Sequence, residues 1–143
     1  MNIVEVIGGT AKQKQYVESI AYYCIQKLMP RMASLDIVIK IKSVKDAYGY
    51  CLSVTDREFE IEVQRDLPLR KLLTTVAHEM VHVKQYARKE LIDDTIWQGK
   101  TVNPKRTDYW ELPWEIEAHG RETGLFIRWA EQNGHADKKW SQE

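Results

Sequence analysis

Cysteine is nearly missing from this chain: two in 143 residues, Cys24 and Cys51, each among apolar neighbours. They lack the paired spacing of a cysteine zinc site, so any metal must be held by His and carboxylate. Two buried thiols fit a reducing compartment better than a disulfide does. A charge excess is missing too. The 21 Lys and Arg balance 21 Asp and Glu, which gives no general attraction for nucleic acid or an anionic membrane. No apolar run approaches the length that crosses a bilayer. The opening MNIVEVIGGTAKQKQ has no basic start ahead of a long apolar run, so it does not read as a signal peptide, and a cytoplasmic protein is expected. Repeats, low-complexity tracts and Pro/Gly-rich linkers are also missing. The length then points to one domain, residues 1–143, with one real hydrophobic core.

What is present divides by hydrophobic period. NIVEVIGG reads as a short strand, and Thr10 as the cap of a helix over about residues 11–32. Val17, Ile20, Ala21, Cys24 and Leu28 make its buried stripe. LDIVIKIK, YGYCLSVT and EFEIEVQR alternate with period two, and a polar Asp56-Arg57 turn joins the last two. They predict an antiparallel sheet of three or four strands with one wet face. From Asp66, a plausible cap, and Pro68 the period becomes helical, with Leu69, Leu72, Leu73, Val76, Met80 and Val83 as the core stripe. Residues 91–108 read as a long loop with a short strand at IWQGKTV. A last helix is predicted from Pro113 to about Gln132, with a loosely attached tail after it. The fold class is α+β.

The helix over TTVAHEMVHVKQYAR carries His78, Glu79 and His82 in an aliphatic setting. Four residues apart on a helix, His78 and His82 share one face and can ligate a single Zn²⁺ at about 2.0–2.1 Å. Glu79, next round the helix, can reach a water on the metal without being a ligand. This is the HExxH arrangement, in which the Glu is the general base of a metallopeptidase. The plainer reading is a core network of three polar groups, each needing a partner among aliphatic neighbours. An unpartnered buried carboxylate is costly, which favours the metal. A catalytic zinc takes three protein ligands and leaves one position open. The longer metzincin signature fails, since Gln85 and Arg88 stand where it continues.

HEMVH followed by LPWEIEAHG at 112–120 resembles the gluzincins, zinc peptidases whose third ligand is a Glu on a later helix. The short chain is similar to their minimal single-domain form, the minigluzincins. YWELPWEIEAHGRETGL also resembles small HExxH proteins of phages and bacteria. The resemblance covers the second half of the chain; the first half matches only in the order of its elements. It implies a zincin-like fold, zinc bound by His78, His82 and Glu115, and Glu79 activating a zinc-bound water to cleave a peptide or protein substrate. An edge strand would hold that substrate extended. His119 falls where relatives carry an Asp or similar residue that steadies a ligand His.

Glu117 is the rival third ligand. Being two residues apart, the two carboxylates point about 200° apart around a helix. Glu115 is preferred because Pro113 opens the helix just before it and because Ala118 would let two helices approach closely. Glu117 could instead pair with Arg121. Tyr109 and Arg121 are candidate donors to an oxyanion, with Tyr109 the better because a Tyr precedes the ligand Glu in some relatives; the plain alternative is an ordinary loop tyrosine. Trp97, Trp110 and Trp114 read as packing before they read as ligand stacking. IGGT lacks the Lys of a phosphate loop and reads as a turn. Other classes stay open: a non-catalytic module in which zinc staples two helices, a regulator that keeps the site as a relic, and an SprT-like protein with a third His acting on DNA-bound proteins. Neutral charge and the lack of zinc-ribbon cysteines count against the last.

Overall fold

The computed structural model describes residues 1–143. The chain runs β1 (Ile3–Gly8), α1 (Ala11–Leu28), β2 (Asp36–Lys42), β3 (Gly49–Ser53), β4 (Glu58–Gln64) and α2 (Leu69–Ala87). It continues with β5 (Leu91–Ile92), β6 (Ile96–Trp97), β7 (Lys100–Thr101), a 3₁₀ turn (Tyr109–Glu111), α3 (Pro113–Gln132) and α4 (Lys139–Gln142). The class is α+β, with a four-stranded mixed sheet and a small antiparallel sheet of β5, β6 and β7.

The main sheet is mixed, not antiparallel as the alternating runs suggested. Its order is β1-β2-β4-β3. β2 pairs parallel with both β1 and β4, and only β3 runs antiparallel, beside β4. Alternation sets which side chains face the core but says nothing about which strand lies next to which. Burial explains the insertion of β4 between β2 and β3. Phe59, Ile61 and Val63 of β4 are buried, as are Ile37, Ile39 and Ile41 of β2, so both strands belong in the middle. β3 offers the core only a half-buried Cys51 and leaves Tyr50 and Leu52 exposed, which suits an edge.

Thr10 caps α1 as its position suggested. Its Oγ1 accepts from the Gln13 N–H at 3.1 Å, and Gln13 Oε1 accepts from the Thr10 N–H at 2.9 Å. The expected stripe is buried throughout. The helix stops at Leu28, short of residue 32, because Pro30 brings no N–H and biases the residue before it away from helix. Gly8 closes β1 at φ +83°, where an added Cβ would lie 2.3 Å from the Ile41 carbonyl oxygen. Asp66 caps nothing: α2 begins after Pro68 without a side-chain cap.

α2 is the central element. Every residue from Leu72 to Gln85 is buried, because α1, α3 and the sheet pack around it. Thr74 and Thr75 satisfy their hydroxyls on the carbonyls of Arg70 and Lys71 at 2.8 and 2.7 Å. The IWQGKTV segment forms the β6–β7 hairpin. A small second cluster of Leu91, Leu112 and Trp114, flanked by Trp97 and Tyr86, lies under it. No helix is long and apolar enough to cross a membrane.

The tail is bound, not loose. Trp140 stacks on Tyr16 at 5.5 Å, and His135 packs against both. The Ser141 carbonyl accepts from Arg70 Nη1 at 2.6 Å. Aromatic partners distant in sequence supply this anchorage, which a local reading of NGHADKKW does not reveal. Trp140→Ala should therefore cost ~2 kcal/mol, below the value for a fully buried Trp. Urea unfolding checks it, and a midpoint equal to the parent's would restore the loose tail.

Candidate metal centre

The all-round burial of α2 sharpens the question its polar residues raise. His78, Glu79 and His82 are 9%, 6% and 7% exposed, which raises the question of what each finds as a partner. α3 brings the main one. Glu115 sits in the first turn of α3, where the helix dipole favours a carboxylate, and Ala118 beyond it is fully buried in the core. Glu115 Oε1 lies 3.0 Å from His78 Nε2, and Oε2 lies 3.3 Å from His82 Nε2. The two Nε2 atoms are 3.3 Å apart.

Hydrogen bonding behind the rings decides which atoms face this centre. Gln85 Nε2 donates to the Trp114 carbonyl at 2.9 Å and to Glu117 Oε1 at 3.0 Å, both acceptors only. That fixes the amide, so Gln85 Oε1, 2.8 Å from His82 Nδ1, must accept a proton carried by that nitrogen. His78 Nδ1 likewise donates to Glu122 Oε1 at 3.0 Å. In the neutral tautomers both Nε2 lone pairs then point at each other and at a carboxylate. Three acceptors converge with no donor among them, an arrangement that a proton or a cation stabilises. A tetrahedral ion with bonds of about 2.0–2.1 Å has ligand atoms about 3.3 Å apart, so the observed separations and the donor set fit zinc.

Electrostatics follows the same pattern. Burial pulls the His78 pKa down, but hydrogen bonds to Glu115 and Glu122 and nearby negative charge more than reverse this, lifting it to about 9. Burial likewise opposes, and Glu115 outweighs, at His82, whose pKa is raised. Burial pushes Glu115 up, yet the two imidazoles hold it well below the usual carboxylate range. These directions describe one arrangement, protons held between imidazoles and carboxylates. Glu79 differs. Its pKa is raised, burial outweighing the pull of His82 and His78. None of the hydrogen bonds of the centre involves it.

Around the centre the structure places the remaining expected residues. Tyr109, in the 3₁₀ turn, donates to Glu115 Oε1 at 3.0 Å and lies 3.0 Å from His119 Nε2. Arg121 is turned away, 51% exposed and paired with Glu117 at 2.9 Å. Glu117 lies away from the imidazoles. The expected outer-face pair exists, but Glu117 is only 16% exposed and also binds buried Lys84 and Gln85. His119 is near the centre without completing it: its Nδ1 donates to Glu122 Oε1 at 2.7 Å, and its Nε2 is 4.0 Å from Glu115. Trp110, 67% exposed, lies over His119, while Trp97 and Trp114 pack on each other.

Two residues went unseen in the sequence. Glu122 steadies His78 and His119 together, and Gln85 steadies His82. Each has a faint local signal, Gln85 three residues after His82 and Glu122 three after His119, one turn along the same helix.

The centre lies in a cleft with two arms that meet at Gly49, His78, Glu79 and Tyr109. The wider arm, about 420 Å³, extends past Cys51, Tyr86, Leu91, Asp94 and Trp114. The other, about 310 Å³, extends past Tyr48, Lys71, Thr75 and Glu122. An added Cβ at Gly49 would come within 3.3 Å of Glu79 Oε2, so the lack of a side chain there keeps the carboxylate open to the cleft. Comparison with known protein families, curated proteins and solved structures returns no match.

Zinc affinity checks the centre residue by residue. Glu115→Ala should weaken binding most, and Glu122→Ala by about 10–100-fold through the loosened His78 ring. Glu117→Ala should change affinity less than either and lower stability instead, because it removes a partner from buried Lys84. The reverse order of Glu115 and Glu117 in competition with a chelator would overturn the assignment. At pH 7, below the His78 pKa of about 9, His78 carries an extra proton, so zinc uptake should release at least about one proton per ion. Calorimetry in buffers of different ionisation enthalpy reads this number, and a value of zero would contradict the proton-filled centre.

Proposed function

We propose that the chain is a zinc-dependent peptidase of the minimal gluzincin kind. The observation that carries this reading is the convergence of His78 Nε2, His82 Nε2 and a Glu115 carboxylate beside a buried Glu79 that has no partner and faces the cleft. His78, His82 and Glu115 would hold the ion. What zinc supplies at such a site is a water acidified to a pKa of about 7.

The chain's own groups perform the rest. Glu79, buried beside the centre and open to the cleft, is the group placed to accept a proton from that water. It would take a proton from the attacking water and return it to the departing nitrogen as the C–N bond breaks. Tyr109, with its hydroxyl already at Glu115 Oε1, is a donor at hand for the carbonyl oxygen as charge develops there. β3 is the sheet edge beside the cleft, and its unpaired backbone groups offer hydrogen bonds to an extended peptide. Tyr50 and Leu52, exposed on that strand, would lie beside the peptide's alternate side chains.

Glu79→Gln separates this reading from a purely structural zinc. The variant should keep zinc and fold while losing hydrolysis of an unstructured protein by ~10²–10⁴-fold. Parent-like activity in the variant would end the mechanism. A parent that cleaves nothing, yet melts far lower once zinc is removed, would favour a staple between α2 and α3.

A further inference from the structure

The two arms of the cleft differ in charge. The wider arm presents Glu79, Glu115 and Asp94, with no Lys or Arg among its lining residues. The other arm shares Glu79 and adds Asp46 and Glu122, but it also carries Lys71 and His119. A divalent ion held at the centre would offset Glu79 and Glu115, leaving Asp94 as the remaining carboxylate of the wider arm. Asp94 is held in place. Its Oδ1 accepts from the Tyr86 hydroxyl at 2.7 Å, and the Tyr86 ring stacks on Phe59 of β4. Its backbone sits at φ +56°, in the left-handed region that Asp tolerates better than most residues. Tyr86, Leu91, Leu112 and Trp114 give the same arm apolar walls, suited to the methylene stem of a long basic side chain. Glu79, 94% buried and unpartnered, opens into it.

We propose that Asp94 selects substrates carrying a cationic group, a Lys or Arg side chain or a free α-amine, on the N-terminal side of the scissile bond. The side follows from the direction of β3 together with antiparallel addition of the peptide, which is part of the proposal. Gly49 lies where the arms meet and Cys51 lies in the wider arm, so β3 runs from the junction into that arm. A peptide added antiparallel to β3 runs the other way. Its N-terminal part occupies the arm with Asp94, and its C-terminal part passes Lys71. This direction rests on the peptidase reading; the charge preference of the arm does not.

Binding and cleavage therefore test it separately. Binding uses Glu79→Gln protein in zinc-containing buffer and pentapeptide amides that differ only in Arg or norleucine, each with an acetylated or a free N-terminus. Trp114 lines the arm and reports by its fluorescence. The cationic peptides should bind about fivefold more tightly than the neutral one, as expected for a partly exposed charge pair. Asp94→Asn should abolish that ratio, and Asp93→Asn, outside this arm, should keep it. Comparing acetylated and free peptides tells side chain from α-amine. Equal binding of all four peptides, Arg or norleucine and acetylated or free, overturns the proposal and leaves the peptidase reading intact. For cleavage, mass-spectrometric mapping of unstructured peptides by the parent should place Lys, Arg or the free terminus before the cut. Cations only after the cut overturn the assigned side. A parent that cuts nothing but keeps the Asp94-dependent binding ratio removes the peptidase reading and upholds Asp94 as the cation-binding group.

Discussion

Two imidazole nitrogens and a carboxylate, converging between α2 and α3, set the requirement that their surroundings meet. Without a proton or a cation among them the arrangement is unfavourable. It persists because each group is held from behind: His78 by Glu122, His82 by Gln85, Glu115 by Tyr109. Gln85 is in turn held by Glu117 and the Trp114 carbonyl, and Glu117 by Lys84 and Arg121. Buried polar groups thus form one connected set spanning the helix pair, with the acceptor face of the set turned toward a single point. A network in which the supporting donors and acceptors are satisfied can keep such a face preorganised for a cation.

The same constraint explains why α2 is the most enclosed element of the fold. A ligand pair on an exposed helix would be solvated and mobile. Here the sheet, α1 and α3 surround the helix, and only the cleft admits solvent to Glu79 and the imidazoles. Placing β3 at the edge completes the geometry, since an inserted β4 puts an open strand, not a paired one, beside the cleft. The sheet order and the polar centre are therefore linked parts of the proposed site.

Much of this was legible locally. Helix spacing alone puts His78 and His82 on one face, and the strict periods of α1, β2 and β4 predict their buried residues correctly, whereas α2 is buried all round and not only along its expected stripe, of which Leu69 stays half-buried. Pro113, the small Ala118 and the two-residue offset favour Glu115 over Glu117, and the structure places Glu115 beside His78 and His82 while Glu117 meets α2 at Lys84 and Gln85. Gln85 and Glu122 were harder to see, because Gln and Glu on a helix are ordinary surface residues unless a partner element covers them. Asp94 is legible only as part of a loop, since its proximity to the cleft depends on the small β5–β7 sheet.

Local chemistry, then, determined the helices, the faces of the strands and the candidate ligand residues, because periodicity and side-chain type act over one or two turns of chain. Tertiary structure decided the strand order, the docking of the tail against Tyr16, the tautomers facing the centre and the charge of each arm of the cleft. Those depend on which surfaces meet after the chain has turned back on itself. Pairing energies between strands of similar pattern, and hydrogen bonds between residues dozens of positions apart, leave no periodic trace in the sequence.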